Sequence, residues 1–376
     1  MLYLDHAAAS PVRSEVLDAM RPYLTGVFGN PSSHHTVGEA AASALEDARR
    51  RVARVLGMRA GDVVFTSGGT EANNLAVKGI VLRSDRRHLV VSPIEHESIL
   101  ESADYLRRLH GVEVTSLEVD SAGRISADAV AAAIRPDTAL VAIGHANNEI
   151  GTVQDVAAIR TLTQDAGVLL HVDAVQSAGW LPLDVLGADA VAVAGHKLGA
   201  PKGIGALAVR GRIPLEPLLH GGGQERGRRS GTEDVAGAVA LVTALELADA
   251  ERAALSAQVG ADTQRFIADV LAAVPQALLT GDPVHRLPGT ASFTFAGVSG
   301  EAVLLELERR GVVSSSGSAC AAGSDEPSHV LLACGIPPEV AQTSVRFTFG
   351  RTPLPDGAPA QLAALVGEAV RAVARG

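Results

Sequence analysis

The apolar residues of this chain follow two alternating periods. Continuous Val, Ala, Ile and Leu runs recur in DVVFTSGGTEANNLAVKGI (62–80), HLVVSPIEHESIL (88–100), GVEVTSLEV (111–119), TALVAIGHANNEIG (138–151), VLLHVDAVQS (168–177), ADAVAVAGHK (188–197) and IGALAVR (204–210). Most turn abruptly polar, as a buried strand does where it leaves its sheet. Between them lie helical stretches, the clearest being EAAASALEDARRRVARVLG (39–57), where Leu45, Ala48, Val52, Val55 and Leu56 share one side. Strands without alternation, separated by helices, predict an α/β fold whose mostly parallel sheet is covered on both faces. An Ala-rich helix is expected from about 233 to 257. Beyond it the pattern changes to α+β, with antiparallel-like strands in 287–298 and 343–351 around a helix at 301–311. The expected division is a large domain over 14–252 and a smaller one made of 1–13 and 253–376.

Composition narrows the class. At 376 residues, 47% hydrophobic and 20% charged, the chain can bury a core large enough for two domains. Its apolar runs are broken well short of the roughly 20 residues that a membrane span needs. The start, MLYLDHAAAS, lacks a basic region followed by an apolar core, so a cytoplasmic protein is expected. Two cysteines, Cys320 and Cys334, make no disulfide framework. A net charge of −10 argues against direct nucleic-acid binding, although Arg226, Arg228 and Arg229 form a local basic cluster suited to a phosphate or an acidic partner. The adjacent His34 and His35 cannot share a face, and no metal site is expected.

In a parallel sheet, ligands bind beyond the carboxyl ends of the strands. Polar residues stand at that place in several runs: His96, Asn148, Asp173, Gln176, and His196 with Lys197. Lys197 lies in AVAGHKLGAPKG (192–203), between glycine-rich turns that hold its backbone and aim its amine into a cleft. An aspartate at one strand end and a lysine after the next strand form the pair that pyridoxal phosphate requires: the carboxylate keeps the ring nitrogen protonated and the lysine holds the aldehyde. The Ser-Gly-Gly-Thr turn before Glu71 suits a phosphate, through backbone N–H groups, the Thr70 hydroxyl and a helix dipole; the alternative is a plain helix cap at Thr70. HGGGQERGRRSGTEDVAG (220–237) is a second glycine-rich, basic loop. Cys320 falls in VVSSSGSACAAGSDEPSHV (312–330), whose small residues cannot pack a core and predict an exposed, mobile loop with a reactive thiol. Cys334, among apolar neighbours, reads as a buried filler.

The ordered motifs LDHAAASP, GNPSS, FTSGGTEANNLAVKG, EH at 95–96, HANNEIGTVQ, HVDAVQS, GHK, PKGIGAL, HGGGQERGRRSGT, SSSGSAC and SVRFTFGR resemble the cysteine desulfurases, the IscS/NifS-like group of the class V aminotransferase superfamily. The resemblance covers essentially the whole chain. It implies a fold-type I, pyridoxal 5′-phosphate-dependent enzyme that turns L-cysteine into L-alanine. It also implies that Lys197 carries the cofactor as a Schiff base, Asp173 pairs with the ring nitrogen, Gln176 meets the ring hydroxyl and His96 stacks on the ring. Gly69, Thr70 and His196 would hold the phosphate, with Thr232 lent by the partner subunit of a homodimer. Asn148 and Arg346 would bind the substrate carboxylate, and Cys320 would receive the sulfur as a persulfide for an acceptor protein, an iron–sulfur scaffold or a tRNA-thiolation protein. His96 is the expected base for the Cys320 thiol.

Three positions depart from the pattern. Ala194 stands where many relatives have a phosphate-binding serine, Glu97 where a lysine is frequent, and the chain ends at Gly376 without the long tail some relatives use to dock a scaffold. Rival readings are a selenocysteine lyase or another pyridoxal-dependent β-lyase, a transaminase, and a non-catalytic binding partner. Cys320 within SSSGSAC favours the desulfurase over the other enzymes, and Lys197, Asp173 and Cys320 together disfavour the binding partner.

Overall fold

The two periods resolve into layers of strand and helix. The computed structural model describes residues 1–316, 326–355 and 357–375; the proposed sulfur acceptor, Cys320, lies outside the described residues. After β1 (Leu2–Tyr3) come α1 (Ser14–Thr25), α2 (Thr36–Val55), β2 (Val63–Thr66), α3 (Gly69–Leu82), β3 (His88–Val91), α4 (Glu97–His110), β4 (Glu113–Ser116) and α5 (Ala127–Ala133). Then follow β5 (Thr138–Gly144), α6 (Val156–Asp165), β6 (Leu169–Asp173), β7 (Ala190–Ala194), α7 (Gly195–Leu198) and β8 (Gly205–Val209). Strands β2 to β8 form a seven-stranded sheet in the order β2-β8-β7-β6-β5-β3-β4, in which β8 alone runs against the rest. This is the mostly parallel sheet that the continuous apolar runs require.

Both faces of the sheet are covered. Ala48 and Val52 of α2 join Val141, Ile143, Leu170 and Val172 on one side, while Leu75 and Ile80 of α3 and Ile99 and Leu106 of α4 meet Leu89, Leu140 and Leu207 on the other. Each fully buried Leu, Ile or Val in these layers contributes roughly 1.5–3 kcal/mol. Helix α2 begins ahead of the expected Glu39, at Thr36, because the His35 ring accepts the Gly38 N–H at 3.2 Å and caps the first turn. At the other end of α4, Gly111 at φ 64° provides the left-handed stop.

The long helix differs most from expectation. Instead of ending near 257, α8 runs unbroken over Val235–Ala273, about 58 Å at 1.5 Å per residue. Its sequence has no proline and a single inner glycine past 257, Gly260, whose missing side chain leaves room beside Pro288. The first half of α8 packs on the large sheet through Ala238 to Ala248, and the second half packs through Val259, Phe266 and Val270 into a separate core. That core is built on the antiparallel sheet β9 (Ala277–Leu279), β10 (Thr290–Phe295) and β12 (Ser344–Thr348), in the order β12-β10-β9. Phe266 stands edge-on to Phe293, Phe347 and Phe349 at its centre. Around it lie α9 (Gly300–Arg309) and α12 (Ala358–Arg375), while α10 (His329–Ala333) and α11 (Pro338–Ala341) pack in a small cluster with Ile94 and Ile150; β11 (Val312–Val313) pairs in parallel with β1, which brings the first residues of the chain to the Phe266 core.

Candidate active site

At the carboxyl edge of the large sheet lies a cavity of about 690 Å³. Strand pairing sets its floor: Asp173, the last residue of β6, is in register with Ala192 of β7, and β7 ends two residues later. There the chain turns into the single-turn helix α7, which carries His196 and Lys197 and is stopped by Gly199 at φ 90°. Lys197 Nζ donates to the carbonyls of Ala7 and Ala8, the second at 2.8 Å, so the lead-in segment forms the cavity wall around the amine. The Asp173 carboxylate is oriented from both sides: Oδ1 accepts the Val175 N–H at 2.9 Å and Oδ2 accepts from Asn73 Nδ2 at 2.6 Å.

The loop after β5 supplies another wall. Asn147 folds it, accepting the N–H groups of Glu149 and Ile150 at Oδ1 and donating to the Ile94 carbonyl at 2.7 Å. The neighbouring Asn148 offers its carbonyl to Arg346 Nη1 at 2.7 Å, while Arg346 Nη2 pairs with Asp5 at 2.7 Å. Arg346 comes from β12 and is 1% exposed. The cavity thus draws on both sheets.

One end is made for an anion. Helix α3 starts at Gly69, two residues before the expected Glu71, and its N-cap is Gly68 at φ 153° with no side-chain cap among the described residues. The plain Thr70 cap is therefore corrected: Thr70 sits inside the first turn, and the first N–H groups of the helix are left for a ligand. Glu71 is turned back onto the Ser67 N–H at 2.7 Å and paired with Arg229 at 2.9 Å. Close approach depends on glycine here, since a Cβ on Gly205 would stand 2.7 Å from the Gly68 backbone. Lys202 and His196 line the same cavity. With an uncapped helix start at one end, the Asp173 carboxylate at the other and an amine on the wall, the donor set fits pyridoxal phosphate. Ala194 also lines the cavity, where it supplies no hydroxyl.

Burial shapes the charges. His196 is pushed down to about 4 by burial and then by the nearby Lys197 and Lys202 cations, so its ring is neutral at pH 7. Glu95 is pushed up to about 8 by complete burial, partly offset by the Ser92 hydroxyl. Glu149, also buried, accepts from Ser328 Oγ at 2.5 Å, and His329 Nε2 meets the Glu95 carbonyl at 3.1 Å, which fixes the start of α10 against the cavity rim. Cys334 is buried and its thiol is pushed up to about 11.

Of the residues singled out from sequence, Gly69, Thr70, His96, Asn148, Asp173, Gln176, His196, Lys197 and Arg346 all line this one cavity. Thr232 does not; it is exposed on the loop before α8. Cys320 lies outside the described residues. Among the described residues, no three His, Cys, Asp or Glu side chains gather as a metal would need. Sequence reasoning missed Asn73, Glu95, Ser98, Glu149 and Asp5. Asn73 carried a usable signal, one helical turn beyond Gly69 on the helix that opens the cradle, whereas Asp5 reaches the site only through the pairing of distant segments.

The chain matches the aminotransferase class-V family over residues 2–353. It is 42% identical to "Cysteine desulfurase IscS" of Dictyoglomus turgidum, across 93% of this chain and 89% of that protein. It is 43% identical to the "IscS-like cysteine desulfurase" of Mycobacterium tuberculosis, across 99% of this chain and 97% of the other. Among solved structures, a "NifS-like protein" superposes with a TM-score of 0.90 at 31% identity, covering 98% of this chain and 99% of that one.

Proposed function

Because the chain belongs to the aminotransferase class-V family, within its cysteine desulfurases and on their fold-type I scaffold, we propose that it converts L-cysteine to L-alanine and receives the sulfur on Cys320. The observation that carries the reading is that Asp173, at the end of β6, and Lys197, just past the end of the adjoining β7, line one cavity. Bound pyridoxal phosphate supplies the electron sink for a substrate that loses its Cα proton.

The residues then divide the work. Asp173, oriented by Val175 and Asn73, would hold the ring nitrogen protonated, and Gln176 would meet the ring hydroxyl. The start of α3, with Gly69 and Thr70, would hold the phosphate together with His196. Arg346 and Asn148 take the substrate carboxylate, which fixes the Cα–H bond relative to Lys197 Nζ. Lys197 removes that proton and later returns a proton to the product. Cys320, as thiolate, attacks the substrate sulfur. A sulfur–sulfur bond forms, the carbon–sulfur bond breaks with its electron pair moving to carbon, and protonation there completes alanine. Each turnover leaves one persulfide, Cys320–S–SH.

The same reading includes a homodimer in which the exposed Thr232 enters the partner's site, a cytoplasmic location, and delivery of the persulfide to an iron–sulfur scaffold or tRNA-thiolation protein. It keeps the division into 14–252 and 1–13 with 253–376. No helix among the described residues is long and apolar enough to cross a membrane. The deciding experiment is a single-turnover incubation of purified protein with L-cysteine, quantifying alanine and protein-bound persulfide. Equal amounts are expected; alanine without persulfide, or neither, overturns the proposal.

A further inference from the structure

In the cavity wall, one buried amide connects residues that the proposed chemistry uses separately. Asn73 of α3 is 1% exposed and has every polar atom of its side chain engaged. The Asp173 carboxylate can only accept, so the atom 2.6 Å from its Oδ2 is the Asn73 nitrogen. That orientation leaves Asn73 Oδ1 to accept from His171 Nε2 at 3.0 Å. The second hydrogen on the Asn73 nitrogen goes to Ser98 Oγ at 2.9 Å. The Ser98 backbone N–H donates to His96 Nδ1 at 3.0 Å, so that nitrogen accepts, and the Ser98 hydroxyl, 2.9 Å from it, gives it its own hydrogen while accepting from Asn73.

Two donors converging on Nδ1 require a bare nitrogen, so the ring proton of His96 sits on Nε2. The tautomer of the other histidine on this amide follows from the amide oxygen it meets. His171 gives its Nε2 proton to Asn73, and its Nδ1 is buried with no partner among the described residues, consistent with a ring that burial pushes down to about 4 and keeps neutral. The assignments made from Asp173 at one end and from the Ser98 backbone N–H at the other meet at the Ser98 hydroxyl without conflict.

We propose that Asn73 and Ser98 are positioning residues that tie the tautomer of His96 to the carboxylate of Asp173. Asp173 orients the Asn73 amide, the amide donates to the Ser98 hydroxyl oxygen, and the hydroxyl and backbone N–H of Ser98 together leave the His96 proton on Nε2. His96, which lines the cavity, then meets a bound group as an N–H donor. The base role expected for His96 toward the Cys320 thiol requires that proton to move to Nδ1 first, against two donors. Ser98 therefore selects between a donor and an acceptor at the cavity.

This inference rests on the proposed site for its catalytic meaning, but the tautomer belongs to the chain itself and is read without turnover. Ring-¹⁵N-labelled histidine in the full-length protein, with His96→Gln to assign the signal, reports which nitrogen carries the proton, both with the cofactor bound and after its removal. A bare Nδ1 and a protonated Nε2 are expected at pH 8 in both states; an Nδ1–H ring overturns the proposal. Ser98→Ala retains the backbone donor and loses the hydroxyl, so mixed tautomers are expected, with kcat lower by about fivefold and KM for L-cysteine unchanged. Ser98→Thr restores both. A Ser98→Ala protein with wild-type tautomer and kcat removes Ser98 from the relay. Asn73→Ala follows the same direction, and the Ser98 pair keeps the test alive if that variant does not fold. A wild-type chain that forms no alanine overturns the proposed function alone, because the tautomer still reads the relay.

Discussion

Nη2 of Arg346 lies 2.7 Å from Oδ1 of Asp5, which joins the small antiparallel sheet to the segment that walls in Lys197. With Nη1 held by the Asn148 carbonyl, the guanidinium is fixed before any substrate arrives. An ammonium cannot reproduce two directed N–H bonds from one plane. Arg346→Lys is therefore expected to raise KM for L-cysteine on the order of 100-fold, the loss seen when a buried charge pair is broken, with a smaller change in kcat. Steady-state kinetics check this. A KM within twofold of wild type would remove Arg346 from the carboxylate site.

Lys197→Ala is expected to abolish turnover. The amine donates to the Ala7 and Ala8 carbonyls of an irregular lead-in segment, and α7 is ended by Gly199 whatever side chain stands at 197. The fold should survive. Far-ultraviolet dichroism unchanged from wild type, together with loss of the covalently held, visible-absorbing cofactor, is the predicted pair of results.

The course of the chain was legible wherever a local rule sufficed. Continuous apolar runs predicted the parallel strands, and their polar ends marked Asp173, His196 and Lys197, because period and strand direction depend on near neighbours in sequence. The length of α8 was less legible: the change of pattern after 257 coincides with a change of the core it packs on, from Ala248 to Val259, not with an end of the helix. Asp5, Asn73 and Ser98 were hidden for a different reason. Their partners are Arg346, Asp173 and, for Ser98, Asn73, contacts between residues far apart in sequence, which no local period encodes. His96 carries both kinds of information, being a residue of the cavity and the N-cap of α4 at once.

The two thiols should separate cleanly. Cys320→Ser leaves Lys197, Asp173 and Arg346 in place, so the cofactor spectrum should still respond to L-cysteine. A serine hydroxyl is a poor nucleophile toward sulfur, and persulfide formation should fall to background. Cys334, buried and pushed up to about 11, carries almost no thiolate at pH 7. Cys334→Ala should keep most activity. Alanine and persulfide assays on both variants decide between the thiols, and selenocysteine turnover retained by Cys320→Ser would favour the lyase reading.

Glu95 makes stability depend on pH in a direction opposite to that of most carboxylates. Its carboxyl is fully buried, and burial pushes it from an ordinary 4.5 up to about 8. The folded chain therefore keeps a proton there that the unfolded chain has already lost. Stability from this group is complete below 4.5, declines as pH rises toward 8, and is level above it, with a slope on the order of 1 kcal/mol per pH unit inside the window. The buried histidines act the other way. His145, His171 and His196 are pushed down to about 4 by burial, so their contribution is present above 6.5 and lost as pH falls toward 4. A plain melting curve against pH mixes the two effects, and a difference between variants separates them. Glutamine reproduces the protonated acid: its amide N–H₂ can donate to the Ser92 hydroxyl, and its carbonyl can accept the Gly144 backbone bond that the carboxyl now makes. Glu95→Gln should then differ least from wild type at the acid end, near pH 5, and become progressively more stable relative to wild type toward pH 8. Urea unfolding midpoints of both proteins across pH 5–8 measure that difference. A difference that stays constant with pH would mean that Glu95 carries no extra proton in the folded chain.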